Sequence, residues 1–227
     1  MLICIPNVLT KEQVANYRAK LANAEWINGK ATSGKQSATV KNNSQLVQHA
    51  AITQEIGSVI INALNNAPQF ISAALPLKIF PPLFNRYENG GHFGIHTDSS
   101  IMTIPNSGVR IRTDLSATVF FAEPHEYDGG ELIIEDVYGA QAVKLAAGDM
   151  VLYPSTSLHR VEPVTRGVRL CAFFWLQSMI RDDGQRTLLY DLDQSIQSLA
   201  VELGIGHSEV VKLSGIYHNL IRRWADT

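Results

Sequence analysis

Apolar positions first recur at helical spacing at Val14, Tyr17, Leu21 and Ala24, the stripe of an amphipathic helix. Thr10-Lys11-Glu12-Gln13 stands ahead of them with the form of a capping box, a hydroxyl at the N-cap and an amide three residues on. Residues 2–5 predict a short preceding strand. Residues 28–44, rich in Gly, Ser, Asn, Lys and Thr, predict an exposed loop. Leu46, Ile56, Val59, Ile60 and Ala63 predict a second helix over 44–66, with Pro68 ending the region. The texture then changes. From Leu77 to Leu176 short apolar or alternating runs such as SATVFFA, GELIIED and VRLCAFFWLQS are separated by Gly, Pro, Asp and Asn. Runs this closely spaced predict a β-sandwich or barrel rather than βαβ units, and Asp128-Gly129-Gly130 marks a turn between two of them. Helical spacing returns over 191–203 and 208–225, with Ser208 as the expected N-cap. The stripe Tyr217, Leu220, Ile221 and Trp224 reads as intramolecular core. The pattern is mainly β with flanking helices. It divides into residues 1–180, with a β-core at about 77–178, and a C-terminal helical extension, 181–227.

Composition removes several function classes. A net charge of -2 and a pI near 6.4 point to neither nucleic acid nor an anionic membrane surface. Cys4 and Cys171 are the two cysteines, so no disulfide framework exists. Cys171, inside LCAFFWL, reads as a buried thiol. The chain starts without a basic, signal-like segment, and no apolar run nears the roughly 20 residues of a membrane helix. The expectation is a soluble cytoplasmic protein.

The chemistry concentrates in His96-Thr97-Asp98, followed further on by His159 and Arg169. On an extended segment His96 and Asp98 share a face about 6.6 Å apart along the strand. With His159 they make two imidazoles and a carboxylate, the ligand set of a non-haem Fe(II) oxygenase. The same set suits zinc, although no catalytic glutamate follows a ligand in a hydrolase motif. Val164-Thr165-Arg166-Gly167 predicts a hairpin turn that would place Arg169 directly opposite His159, Cβ atoms about 5 Å apart. A guanidinium buried there needs an anion. Either a protein carboxylate or a metal-chelating dicarboxylate such as 2-oxoglutarate would serve. Tyr87 lies in the same run as the HxD pair and can offer its hydroxyl to a ligand or simply pack in the core. His92 stands about 13 Å from His96 along a strand, too far for a shared ion. His49, His125, His207 and His218 read as ordinary surface or packing residues. A non-catalytic jelly roll that senses a metal or small ligand is the alternative from another class.

These residues carry a family resemblance. Asn85-Arg86-Tyr87-Glu88-Asn89-Gly90-Gly91-His92-Phe93-Gly94-Ile95-His96-Thr97-Asp98 resembles the tyrosine–glycine–HxD segment of prolyl-hydroxylase-type Fe(II)/2-oxoglutarate dioxygenases. Asp128-Gly129-Gly130-Glu131-Leu132 resembles their GGEL turn, and Gly148-Asp149 through His159 to Arg169 their distal segment. The bacterial PKHD-type hydroxylases are the subgroup most similar. The resemblance implies a double-stranded β-helix (jelly-roll) core with the N-terminal helices packed on it and a small C-terminal helical cap. It implies Fe(II) on His96, Asp98 and His159, and 2-oxoglutarate anchored by Arg169 and Tyr87. It further implies L-ascorbate as reductant, and O2 as co-substrate for hydroxylation of an unidentified substrate with release of succinate and CO2. Loops 28–44 and 99–113 are where a substrate would be met. Arg110 and Arg112 are candidates for contacting an anionic one, though exposed loop arginines are commonly just solvated. The helical extension can cap the barrel or form a homo-oligomer interface.

Overall fold

A computed structural model describes residues 1–32, 38–137 and 139–227. The strands are β1 (Ile3–Ile5), β2 (Trp26–Asn28), β3 (Lys41–Asn42), β4 (Ser44–Leu46), β5 (Pro76–Ile79), β6 (Leu83–Tyr87), β7 (Gly91–His96), β8 (Ile101–Thr103), β9 (Arg110–Arg112), β10 (Leu115–Phe120), β11 (Leu132–Asp136), β12 (Gly139–Val143), β13 (Met150–Pro154), β14 (His159–Val164) and β15 (Arg169–Ser178). The helices are α1 (Lys11–Ala22), α2 (Ala51–Asn65), α3 (Pro68–Ala74), α4 (Asp183–Leu203) and α5 (Ser208–Trp224).

An eight-stranded antiparallel sheet runs β1-β13-β10-β15-β6-β4-β2, with β5 paired to β15. A five-stranded sheet, β12-β11-β14-β7-β3, faces it. This is the jelly roll that the family resemblance implies. Alternation explains why the central major-sheet strands, β10, β13 and β15, bury side chains on both faces. Ala117, Val119, Ala172 and Phe174 point outward onto Val14, Tyr17 and Leu21 of α1 and Ile56, Ile60 and Leu64 of α2. Phe120, Cys171, Tyr87 and Tyr153 point inward and meet Leu132, Ile134 and Val161 of the minor sheet. The N-terminal helices therefore close the outer face, and the space between the sheets is left for the site.

The capping box at Thr10 is formed as read: its side chain accepts from Gln13 N, and the Gln13 side chain returns the bond to Thr10 N. Tyr217, Leu220, Ile221 and Trp224 pack on Leu75, Ile180 and Leu189, so that stripe is intramolecular core. No helix among the described residues is long and apolar enough to cross a membrane.

Several expectations are corrected. Residues 44–46 are strand, not helix. Leu46 pairs with Trp26 and Gln45 with both Ile27 and Asn85, so sheet hydrogen bonds override the apolar spacing and the helix starts at Ala51. The segment 28–44 is only partly loop: Gly29–Thr32 form a 3-10 turn and Lys41–Asn42 a strand, and residues 33–37 lie outside the described residues. Residues 99–113 hold the β8–β9 hairpin rather than an irregular loop, with Asn106 and Gly108 in the left-handed region near its tip. The first C-terminal helix begins at Asp183, where Asp182 caps it by accepting from Gln185 N, well before residue 191. His207, not Ser208, is the N-cap of α5.

The most consequential correction concerns His159 and Arg169. They do not pair. His159 is opposite His96 of β7 in the minor sheet, whereas Arg169 is opposite Tyr87 of β6 in the major sheet. Thr165–Val168 is a corner that carries the chain from one sheet to the other, pinned by the Asp128–Arg166 bridge and by Gly167 at φ 71°. Added bulk at Gly167 would meet the Glu126 carbonyl oxygen at 2.0 Å, so the corner requires glycine.

Candidate metal centre and co-substrate pocket

His96 ends β7 and His159 begins β14, so antiparallel register alone sets their rings 4.2 Å apart. Asp98 follows two residues after the strand end and folds back until Oδ2 is 3.7 Å from His159 Nε2. One nitrogen from each imidazole and one Asp98 oxygen all lie within 4.8 Å of one another. His96 Nδ1 is 2.8 Å from the Gly94 carbonyl oxygen and His159 Nδ1 is 3.0 Å from that of Ser157. A carbonyl only accepts, so each Nδ1 carries the hydrogen and each Nε2 keeps its lone pair free for the shared space. Burial, and then the neighbouring His159, push the His96 pKa down to about 4, so it is neutral at pH 7. Asp98 is oriented by Ser116, whose Oγ donates at 2.6 Å and is itself 2.7 Å from Ser155 Oγ. Two imidazole nitrogens and one carboxylate, each side chain held by its own hydrogen bond, suit a divalent transition metal.

Across the cavity, Arg169 is 1% exposed, among the most buried side chains in the protein. Its guanidinium lies over the Tyr87 and Phe120 rings, 5.2 and 5.3 Å from their centroids, and Nη1 donates to Cys171 Sγ at 2.9 Å. Among the described residues no carboxylate lies within ion-pair distance, and Nε has no partner. The internal salt bridge left open by the sequence is therefore not formed. Tyr87 accepts from Asn85 Nδ2 at 3.1 Å; burial raises its pKa, so the hydroxyl keeps its proton and can donate it. Tyr127 was not singled out in the sequence, although it directly precedes the Asp128-Gly129-Gly130 turn. Burial raises its pKa to about 12, and its hydroxyl, with no hydrogen-bond partner of ordinary geometry, lies close to the Arg169 charge that opposes the rise.

A cavity of about 170 Å³ is lined by the cluster and by Arg169, together with Phe80, Met102 and Trp175. Lys41 also lines it, a residue the sequence reading left in an exposed loop. No local pattern marks it as buried; its pairing with Phe93 of β7 does that. Of the loop arginines, Arg110 is exposed, and Arg112 is committed to Asp114 at 2.6 Å and Asp226 at 3.2 Å. Arg112 ties the hairpin to the C-terminus and is not free to meet a substrate. His92 Nδ1 contacts the Gly90 carbonyl oxygen and stands outside the cluster.

Burial lowers the Lys41 pKa from its usual 10.5 to about 8, with Asp98 and then Cys171 opposing the fall. The folded lysine releases its proton near pH 8, the unfolded one only near 10.5. Its cost to stability is thus complete below pH 8 and fades between those values. Replacing Lys41 by Met should stabilise metal-free protein by up to about 3 kcal/mol at pH 7, with the gain fading toward pH 10.5. Urea unfolding at both pH values checks this. An equal gain at both would remove the charge explanation.

Comparison with known proteins gives a consistent result. Residues 82–177 match the 2OG-Fe(II) oxygenase superfamily, and residues 183–226 match the PKHD-type hydroxylase C-terminal domain. The chain is 60% identical, over the full length of both proteins, to a PKHD-type hydroxylase of Methylobacillus flagellatus. It is 56% identical over full length to one of Saccharophagus degradans. Among solved structures, a Pseudomonas putida prolyl-4-hydroxylase superposes with a TM-score of 0.52 at 21% identity, covering 78% of this chain and 92% of that one. A Trichoplax adhaerens prolyl hydroxylase superposes with a TM-score of 0.55 at 11% identity, covering 82% and 86%. At such identities the structural likeness establishes the jelly-roll fold.

Proposed function

The chain belongs to the PKHD-type hydroxylases, 2-oxoglutarate-dependent oxygenases, and from that premise we propose that His96, Asp98 and His159 hold Fe(II) while Arg169 and Tyr87 hold 2-oxoglutarate. The observation that carries the assignment is the buried Arg169 without a carboxylate, facing across one cavity an imidazole–imidazole–carboxylate cluster. A guanidinium in that state favours a bidentate carboxylate partner.

Bound Fe(II), with 2-oxoglutarate and O2, supplies the oxidising power that hydroxylates a substrate C–H bond, with succinate and CO2 as co-products. The chain's own part is positional. Arg169 binds the distal carboxylate, and Tyr87 donates its phenolic proton to a ligand oxygen. Ser116 keeps Asp98 turned toward the imidazoles, and the carbonyls of Gly94 and Ser157 hold the Nδ1 hydrogens, so that a neutral ring turns its Nε2 lone pair toward the shared space. The packed inner faces exclude water on all sides but the mouth. L-Ascorbate serves as reductant when the iron is oxidised without substrate turnover. Residues 1–180 form the catalytic unit, and 181–227 are an extension whose Leu189, Tyr217, Leu220, Ile221 and Trp224 pack with Leu75 and Ile180 of that unit.

Anaerobic titration of metal-free protein with Fe(II) and 2-oxoglutarate tests this. A visible charge-transfer band that needs both components is expected. Confirmed Fe(II) binding without any band would overturn the co-substrate assignment and favour a metal sensor.

The turn beneath Arg169 gives a second test. Gly130 sits at φ 68°, and a Cβ there would come within 2.8 Å of Val164 Cγ2 and 3.0 Å of Arg169 Cδ. Gly130→Ala is expected to cost about 1–3 kcal/mol through backbone strain and crowding. It should also raise the 2-oxoglutarate requirement by displacing the arginine stem. A stability loss with an unchanged requirement would show that the turn does not position Arg169.

A further inference from the structure

Lys41 is the charged residue of the cavity that this reading leaves without a role. It is 4% exposed, on the edge strand β3, directly opposite Phe93 of β7. Its ammonium lies 5.2 Å from the Phe93 ring centroid, and that ring stacks on His96 at 3.6 Å. Among the described residues its ammonium makes one polar contact, a long one of 3.4 Å to Oε1 of Gln45, which is 1% exposed. No carboxylate stands within ion-pair distance of it among the described residues, and the sequence of residues 33–37, Ser-Gly-Lys-Gln-Ser, contains no acid.

Charge balance then separates two kinds of partner. Apart from the two imidazoles of the metal cluster, Lys41, Asp98 and Arg169 are the charged side chains lining the cavity. In the complex proposed above, the two positive charges of the metal and the one on Arg169 are matched by Asp98 and the two carboxylates of 2-oxoglutarate. The assembled site is neutral without Lys41. The lysine is left as one uncompensated buried positive charge beside the metal cluster, an arrangement that stays costly until an anion arrives. Since the co-substrate's charges are already matched, that anion must come with the molecule to be hydroxylated. Beside its polar residues the cavity is lined by an apolar and largely aromatic cluster, Phe80, Leu83, Met102, Phe173 and Trp175. Such walls favour a hydrophobic body.

We propose that Lys41 is a specificity-determining residue that pairs with a carboxylate of the primary substrate, and that the substrate class is an apolar or aromatic molecule bearing one carboxylate close to the carbon that is oxidised. This rests on the metal and 2-oxoglutarate assignment above.

The test uses protein loaded anaerobically with Fe(II) and saturating 2-oxoglutarate, and three probes of equal shape: 3-phenylpropanoate, 3-phenylpropanamide and 3-phenylpropan-1-amine. Binding is read from perturbation of the charge-transfer band and from broadening of probe proton resonances by the paramagnetic iron. Wild-type protein should bind the carboxylate about tenfold or more tightly than the amide, and the amine least. Lys41→Gln should erase that preference, and Lys41→Arg should retain part of it. The 2-oxoglutarate concentration at half-maximal band should move by no more than about twofold in either variant, since tenfold is the scale of losing a charge pair. The proposal is overturned if wild-type protein treats carboxylate and amide alike or binds neither. It is equally overturned if Lys41→Gln weakens 2-oxoglutarate itself by tenfold, which would make Lys41 a co-substrate anchor. Failure of the underlying assignment is visible separately, because the wild-type band would then not form before any probe is added.

Discussion

His96→Ala or Asp98→Ala should eliminate Fe(II)-dependent succinate formation while leaving the fold intact. Each removes one of the three donor atoms that lie within 4.8 Å of one another. The fold should survive because His96 ends a strand already held in register by β14 and β3. A graded companion makes the result specific. Ser116→Ala removes the hydroxyl that donates to Asp98 at 2.6 Å but leaves all three donors. Loss of such an orienting partner typically costs roughly 10–100-fold in metal affinity or activity. The ligand variants should therefore fall well below Ser116→Ala, with circular dichroism unchanged in all three. Full turnover in either ligand variant would reject the metal assignment. Equal losses in all three would point to a general disturbance of the corner after β7.

The second large effect is expected at Arg169. Arg169→Leu keeps most of the buried volume and removes the charge. It should raise the 2-oxoglutarate needed for half-maximal turnover by roughly 30- to 1,000-fold, the scale of about 2–4 kcal/mol for a buried charge pair losing one partner. The ligand-free protein should lose little stability, because the guanidinium it gives up has no carboxylate partner and an unpartnered Nε. Arg169→Lys should recover part of the affinity through charge alone, without the bidentate fork. An unchanged 2-oxoglutarate requirement in Arg169→Leu would remove Arg169 from the co-substrate site. A large stability loss in the ligand-free protein would mark it as a structural cation.

Much of this was legible in the chain because the relevant signals are local. Thr10 and Gln13 form their reciprocal cap within one turn, so four adjacent residues suffice to predict it. His96 and Asp98 lie two residues apart at a strand end, where chain geometry alone brings them to one face. Where the sequence misled, a distant pairing outweighed a local pattern. Leu46 has helical spacing to the residues after it, yet its backbone hydrogen-bonds to Trp26 across a sheet. Lys41 looks solvated among Gly, Ser and Asn, but β7 draws it inward opposite Phe93. Arg169 follows His159 closely enough to suggest a hairpin, but the turn between them is a corner between sheets.

The residue types of the site, the β-rich core between helical flanks, and the need of a buried guanidinium for an anion can all be read along the chain. These follow from covalent spacing, side-chain chemistry and hydrophobic period, which act over a few residues. Three further facts emerge on folding: Arg169 faces the metal cluster from the opposite sheet, no protein carboxylate reaches it among the described residues, and Lys41 joins the same cavity. Those facts depend on the register of strands far apart in the chain. That register is fixed when two sheets close over a common core, by the summed burial of side chains that no local window contains.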